Sequence, residues 1–216
     1  MRMRRKSNLS ARMEQCAHLL VAEPDTLRGK WCSEFGLSDL HVELGCGKGR
    51  FTVDSAKASP DTLFVAFERI DNVMVLALER AAAQSQANVK FVCADAGRIT
   101  DFFAPGEVSR IYINFCDPWP LRRKAKHRLT NRVFLSLYKQ VLAPGGEIRL
   151  KTDNLPLFEF SLNEFEQSGF IMLETVYDLH KEGPVGIMTD YEMKFHDQGL
   201  AIHSARWAAG QSQGAT

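Results

Sequence analysis

The 216-residue chain has no run of roughly 18 apolar residues, the length a helix needs to cross a bilayer. Its first residues, MRMRRKSNLSARM, are basic and lack the apolar stretch of a secretory leader. A cytoplasmic protein with no membrane attachment is expected. Cysteine is sparse and unpatterned: Cys16, Cys32, Cys46, Cys93 and Cys116 are odd in number, with no C-x-x-C pair and no histidine at ligand spacing. Reduced thiols and no metal site follow. Internal repeats and low-complexity segments are also missing. The remaining absence is local: from Pro118 to Gly146 there is no acidic residue, while Arg122, Arg123, Lys124, Lys126, Arg128, Arg132 and Lys139 fall in that span. A net charge of +1 conceals this patch. Concentrated basic charge is the footprint of a polyanionic partner.

The composition, 45% hydrophobic and 25% charged, suits one globular unit with an ordinary core. Short β-branched runs recur at 39–45, 62–68, 88–93, 109–115, 146–153 and 170–176, and helical periodicities fall between them at 50–58, 71–85, 131–142 and 155–168. That alternation predicts a parallel sheet with helices on both faces. The helix at 131–142 runs into Ala143-Pro144-Gly145-Gly146, a stop ahead of the next strand. Residues 1–36 carry helical patterns around 10–22 and Trp31 without a strand, and form a basic helical extension capping the sheet. Residues 37–207 form the main domain, and 208–216 a disordered tail.

The first strand leads into Glu43-Leu44-Gly45-Cys46-Gly47-Lys48-Gly49 and then a helix. Alternating glycines there let the backbone approach a ligand without Cβ obstruction. The G-x-G-x-G spacing, with Glu43 at the strand end, favours S-adenosylmethionine over a nicotinamide dinucleotide, because a carboxylate suits a cationic amino acid and repels a pyrophosphate. Glu68 closes the second strand, where it can accept both ribose hydroxyls, and Asp95 follows the third, placed for the adenine amino group. Any one of these acids could equally be a helix cap.

The fourth strand ends in Asn114-Phe115-Cys116-Asp117-Pro118-Trp119-Pro120. The carboxyl edge of such a sheet opens into the ligand crevice, so Asp117 should face cofactor and substrate. Pro118 and Pro120 disfavour helical geometry at the residues before them, and an extended, stiff segment is expected. Trp119 offers a face for stacking on a base, or an anchor for the loop.

These motifs, with the basic run ending Arg128-Leu129, Lys151-Thr152-Asp153-Asn154 and Thr189-Asp190-Tyr191-Glu192, resemble the tRNA (guanine-N7-)-methyltransferase family over roughly residues 25 to 207. The resemblance implies a Rossmann-like methyltransferase α/β fold: a mostly parallel sheet of seven strands with the last antiparallel. It implies methyl transfer from S-adenosylmethionine to N7 of a guanine in the tRNA variable loop. It assigns Glu43, Gly45, Gly47, Glu68, Asp95 and Asp117 to the cofactor, with Asp117 as the catalytic residue. It assigns Asp153, Thr189, Asp190, Tyr191 and Glu192 to the guanosine, together with the position held here by Leu121. At that position the family's pattern has a lysine, so Arg122 and Arg123 become the natural substitutes. Arg122, Arg123, Lys124, Lys126, His127 and Arg128 are the candidate RNA contacts. No obligatory protein partner is evident, and monomer and homodimer both remain open. Methylation of an exocyclic amino group, a non-catalytic RNA-binding protein on the same fold and, more distantly, a nicotinamide dehydrogenase are the alternative readings.

Overall fold

The computed structural model describes residues 8–210; residues 1–7 of the basic extension and 211–216 of the expected tail lie outside the described residues. Helix α1 (Leu9–Gln15) and helix α2 (Trp31–Phe35) precede the sheet. Strand β1 (Asp39–Leu44) is followed by α3 (Arg50–Ala58), β2 (Thr62–Phe67), α4 (Asp71–Ala83), β3 (Val89–Val92), α5 (Ile99–Phe102) and β4 (Val108–Asn114). Then come α6 (Arg132–Val141), β5 (Leu142–Thr152), α7 (Leu155–Gln167), β6 (Phe170–Val176), α8 (Asp190–Asp197) and β7 (His203–Ala209). The strands form one seven-stranded sheet in the order β3-β2-β1-β4-β5-β7-β6. Strands β1 to β5 pair in parallel, and β7 runs antiparallel to both neighbours, β5 and β6. No helix among the described residues is long and apolar enough to cross a membrane.

The order reverses between β1 and β4, and at such a switch point the following loops part to leave a crevice beyond the strand ends. Each face of the sheet carries its own apolar layer. On one face Trp31, Phe102, Phe103, Phe158, Phe165 and Trp207 are buried; on the other lie Phe51, Phe64, Met74, Leu78 and Phe91. The Phe165 and Trp207 rings stack with centroids 3.8 Å apart, locking α7 onto β7, and truncating either to alanine should cost about 3–5 kcal/mol.

Three expectations are refined. The N-terminal segment, expected as a cap beside the sheet without a strand, has none among its described residues, and it also meets the sheet's backbone: Val21 N–H donates to the carbonyl of Phe91 at 2.9 Å, and Leu20 bridges to the same residue. It thereby covers the free edge of β3, an edge that would otherwise offer unpaired backbone groups. The segment is held by a two-point bond from Arg12 to Glu79 of α4 at 2.6 and 2.7 Å, and by the Trp31 indole N–H on the Phe102 carbonyl at 2.9 Å. Second, Ala143-Pro144-Gly145-Gly146, expected as a stop ahead of the strand, lies within it. Strand β5 begins at Leu142, directly after α6, and these residues form its irregular start opposite a register shift between Val108 and Arg110. A Cβ on Gly146 would lie 2.9 Å from the Ala143 carbonyl, so glycine is required there. Third, the expected tail begins too early at 208. Ala208 pairs with Glu147 and Ile171, and Ala209 with Phe170, because β7 is an inner strand with a ladder on either side.

Candidate active site

The loop after β1 divides its glycines between two tasks. Gly45 (φ 79°) and Gly47 (φ 57°) hold left-handed backbone with open space where a Cβ would stand. Gly49 (φ 74°) also starts α3, but a Cβ there would sit 2.7 Å from that of Ala77. The third glycine therefore serves the approach of α3 to α4. The N–H groups of Gly45 and Cys46 both donate to the Phe67 carbonyl at 2.9 Å, which fixes the loop against β2. A pocket of about 240 Å³ opens beside it, bounded by the glycine loop, the end of β4 at Asn114 and Phe115, and the first turn of α8.

The expected cofactor acids differ in their surroundings. Glu43 lines the pocket but is only 2% exposed; Thr52 Oγ1 donates to one of its oxygens and Asn114 Nδ2 to the other at 2.9 Å. Burial raises its pKa, and the Thr52 and Asn114 bonds oppose the rise. This acid bridges β1 to β4 across the switch point. Glu68 is half-buried after β2 and accepts from the Ile70 N–H at 3.0 Å; burial again raises its pKa, against the backbone N–H groups of Ile70, Arg69 and Gly47. Asp95 is exposed and caps a 3₁₀ turn through the Gly97 N–H at 2.8 Å.

The segment after β4 is an arch. Phe115 has φ 52°, donates its N–H to the Lys151 carbonyl at 2.8 Å and sets its ring 5.9 Å from that of Phe195 on α8. Trp119 has φ 42°, so the expectation of extended backbone at that residue fails. The proline after it favours extended backbone, so this left-handed residue departs from the local preference and turns the chain. The Trp119 ring lies 5.2 Å from that of His127, and Lys124 Nζ lies 5.9 Å from its centroid. Asp117, within the arch, is exposed, and among the described residues its carboxylate has no hydrogen bond or ion pair; the same holds for Asp153, just beyond β5. Asn154, not Asp153, caps α7 through the Leu157 N–H at 2.9 Å. Two uncommitted carboxylates thus stand at the ends of adjacent strands.

The segment 189–192 is committed largely to structure. Thr189 and Glu192 form a reciprocal capping box at the start of α8. Glu192 is fully buried and gathers Lys151 Nζ at 2.8 Å, His180 Nε2 at 2.9 Å and the Thr189 N–H at 3.1 Å. Because Val185 N–H donates to His180 Nδ1 at 3.1 Å, the neutral ring carries its proton on Nε2 and donates to Glu192. Asp190 accepts from Arg80 at 2.8 Å and Arg50 at 3.4 Å; burial alone would raise its pKa, but these two arginines outweigh burial and lower it. Tyr191 is exposed at the pocket mouth, one turn from Lys194. Sequence reasoning missed Asn114, Lys151, His180 and Lys194. A polar asparagine closing the buried half of β4, Ile111–Asn114, was the one legible sign among them.

Leu121 is 54% exposed and precedes a 3₁₀ segment, Arg122–His127, in which Arg122, Arg123, Lys124, Lys126 and His127 are all exposed and make no ion pair among the described residues. Arg128 departs from them. It is half-buried, with Nε on the Pro118 carbonyl at 2.9 Å and Nη2 on the Trp119 carbonyl at 3.1 Å.

Comparison with known proteins gives the family. Residues 38–205 match a family described as putative methyltransferases. A tRNA (guanine-N(7)-)-methyltransferase of Geobacillus kaustophilus is 44% identical over 205 residues, covering 94% of either chain. The chain belongs to the tRNA (guanine-N7)-methyltransferase family. A second member, from Geobacillus thermodenitrificans, is 41% identical over 94% of this chain and 95% of its own. Beyond the family, the 16S rRNA methyltransferase KamB superposes with a TM-score of 0.64 at 17% identity, covering 88% of this chain and 94% of its own, a likeness of fold alone. Membership makes this chain a methyltransferase, and the glycine loop and the Asp117 arch lie within the matched region.

Proposed function

We propose that the chain transfers a methyl group from S-adenosylmethionine to N7 of a guanine in the variable loop of cytoplasmic tRNA. The observation that carries this reading is the pair of uncommitted carboxylates, Asp117 and Asp153, beyond the ends of the adjacent strands β4 and β5, with the glycine-lined pocket at Asn114 and Phe115 on one side of Asp117 in sequence and the exposed cationic segment on the other. The donor set fits the cofactor: Gly45 and Gly47 leave room for close backbone approach, and Glu68 is available to ribose hydroxyls. Glu43 would act on the amino-acid end directly or through the Asn114 amide it holds. Bound there, S-adenosylmethionine supplies an electrophilic methyl on a sulfonium.

Guanine N7 carries a lone pair and no proton, so the chain needs no general base. Positive charge grows on the purine as the new bond forms. A fixed carboxylate at Asp117 stabilises that charge, while Asp153 can accept from the guanine N1–H and N2–H edge. Most of the rate would come from aligning the two reactants. Tyr191 offers a ring at the pocket mouth, and Arg122, Arg123, Lys124, Lys126 and His127 would follow the phosphates.

Mass analysis of nuclease-digested tRNA after incubation with isotopically labelled cofactor tests the reading. Labelled 7-methylguanosine from the variable loop is the expected product. Label on an exocyclic amino group, or none on tRNA, would overturn it.

A further inference from the structure

Arg128 closes the basic stretch in sequence but does not share its surroundings. Its guanidinium sits 4.3 Å over the Phe160 ring of α7 while its two nitrogens hold the carbonyls of Pro118 and Trp119. Its own backbone is fixed as well: its N–H donates to the Ala125 carbonyl at 3.1 Å, and its carbonyl accepts from Asn131 N–H, at the cap of α6, at 2.9 Å. In extended chain successive carbonyls point to opposite sides. Those of Pro118 and Trp119 can meet one guanidinium only if the chain turns between them, and Trp119, with φ 42°, makes that turn. A tryptophan holds left-handed backbone only where its surroundings over-determine it. The clasp and the strained residue are one feature.

We propose that Arg128 is a positioning residue of the reaction, fixing the arch that carries Asp117 relative to α7 and so to Asp153 at that helix's entrance. This rests on the methyl-transfer reading of Asp117. It takes Arg128 out of the set of phosphate contacts, although it adjoins that set in sequence. The role requires arginine: a planar fork reaches two carbonyls and covers a ring at once, whereas a lysine ammonium is a single point charge on a flexible stem.

The test compares the full-length chain with Arg128→Lys and Arg128→Ala, measuring methyl transfer to tRNA, tRNA affinity at several salt concentrations, and hydrogen exchange of the peptide spanning 115–128. Both variants should lose about tenfold or more in kcat, since small displacements of a catalytic group are costly. Exchange in the peptide should quicken, while tRNA affinity and its salt slope stay as in the wild type. A shallower salt slope with kcat retained, rescued by lysine, would make Arg128 a phosphate contact and overturn the proposal. Unchanged exchange in both variants would overturn it as well. If the wild type forms no 7-methylguanosine in tRNA, the reaction reading fails, and the exchange comparison still decides whether Arg128 fixes the arch.

Discussion

Lys151 Nζ and Glu192 Oε1 lie 2.8 Å apart, the lysine 16% exposed and the glutamate fully buried, joining the end of β5 to the first turn of α8. The same carboxylate holds His180, so the chain between β6 and α8 is tied to the end of β5 through it. Glu192→Ala strands a buried ammonium and an imidazole N–H, and the expected loss is about 3–5 kcal/mol. Replacing both partners, as Lys151→Met with Glu192→Leu, should cost less than the two single changes added together. Urea denaturation of the four proteins measures the difference, and strict additivity would show that the contact carries no coupling.

Asp117→Ala should abolish turnover while cofactor affinity changes only modestly, because Glu43, Glu68 and the glycine loop are untouched. A retained rate above about a tenth of wild type, under ~1.4 kcal/mol of barrier, would rule out the assigned role. Single-turnover formation of 7-methylguanosine and calorimetric titration of the cofactor supply the two numbers.

In the exposed 3₁₀ segment, Arg122→Ala or Arg123→Ala should weaken tRNA binding and lower the slope of log affinity against log salt by about one unit at most. Cofactor affinity should not move. Leu121→Lys, at a position already 54% exposed, is expected to be neutral or to tighten binding. Wild-type affinity across salt for both arginine variants would make the segment a solvated face.

His41 is 6% exposed on β1, with Nε2 3.0 Å from Asp39. Burial lowers its pKa from 6.5 to about 4, Asp39 opposing and Arg110 and Arg149 reinforcing. The unfolded chain therefore takes up a proton near pH 6.5 while the folded chain refuses it. This contribution to stability is complete above pH 6.5 and is lost as the pH falls towards 4, by about 3 kcal/mol in all. Denaturation midpoints measured from pH 7 down to 4.5 should fall less steeply in His41→Gln. An identical slope in that variant would assign the acid sensitivity to other groups.

Strand–helix alternation was legible because short apolar β-branched runs and stop residues are local properties, and the parallel core follows from them. β7 was not, since HSARWAA alternates weakly and draws its strand character from ladders on both sides. At the site, the glycine loop and D-P-W-P stood out as strings. Which acids remain available did not, because that depends on partners distant in sequence: Glu43 meets Asn114, Asp190 meets Arg80, and Glu192 meets Lys151. Composition distinguishes none of these from Asp117 and Asp153. The surroundings of Arg128 were hidden for the same reason, its neighbours in sequence being charged and its neighbours in space being two carbonyls and a ring.

Helix α6 passes into β5 at Val141–Leu142 with no intervening loop. A one-residue insertion at that seam would reverse the facing of the side chains of β5, turning Lys151 to the apolar layer that holds Ile148 and Leu150. Relatives that differ in length should therefore accumulate their insertions and deletions in the exposed turns at 84–87 and 181–186. The stretch from the Asp117 arch to Asp153 should be inherited as a cassette of constant length.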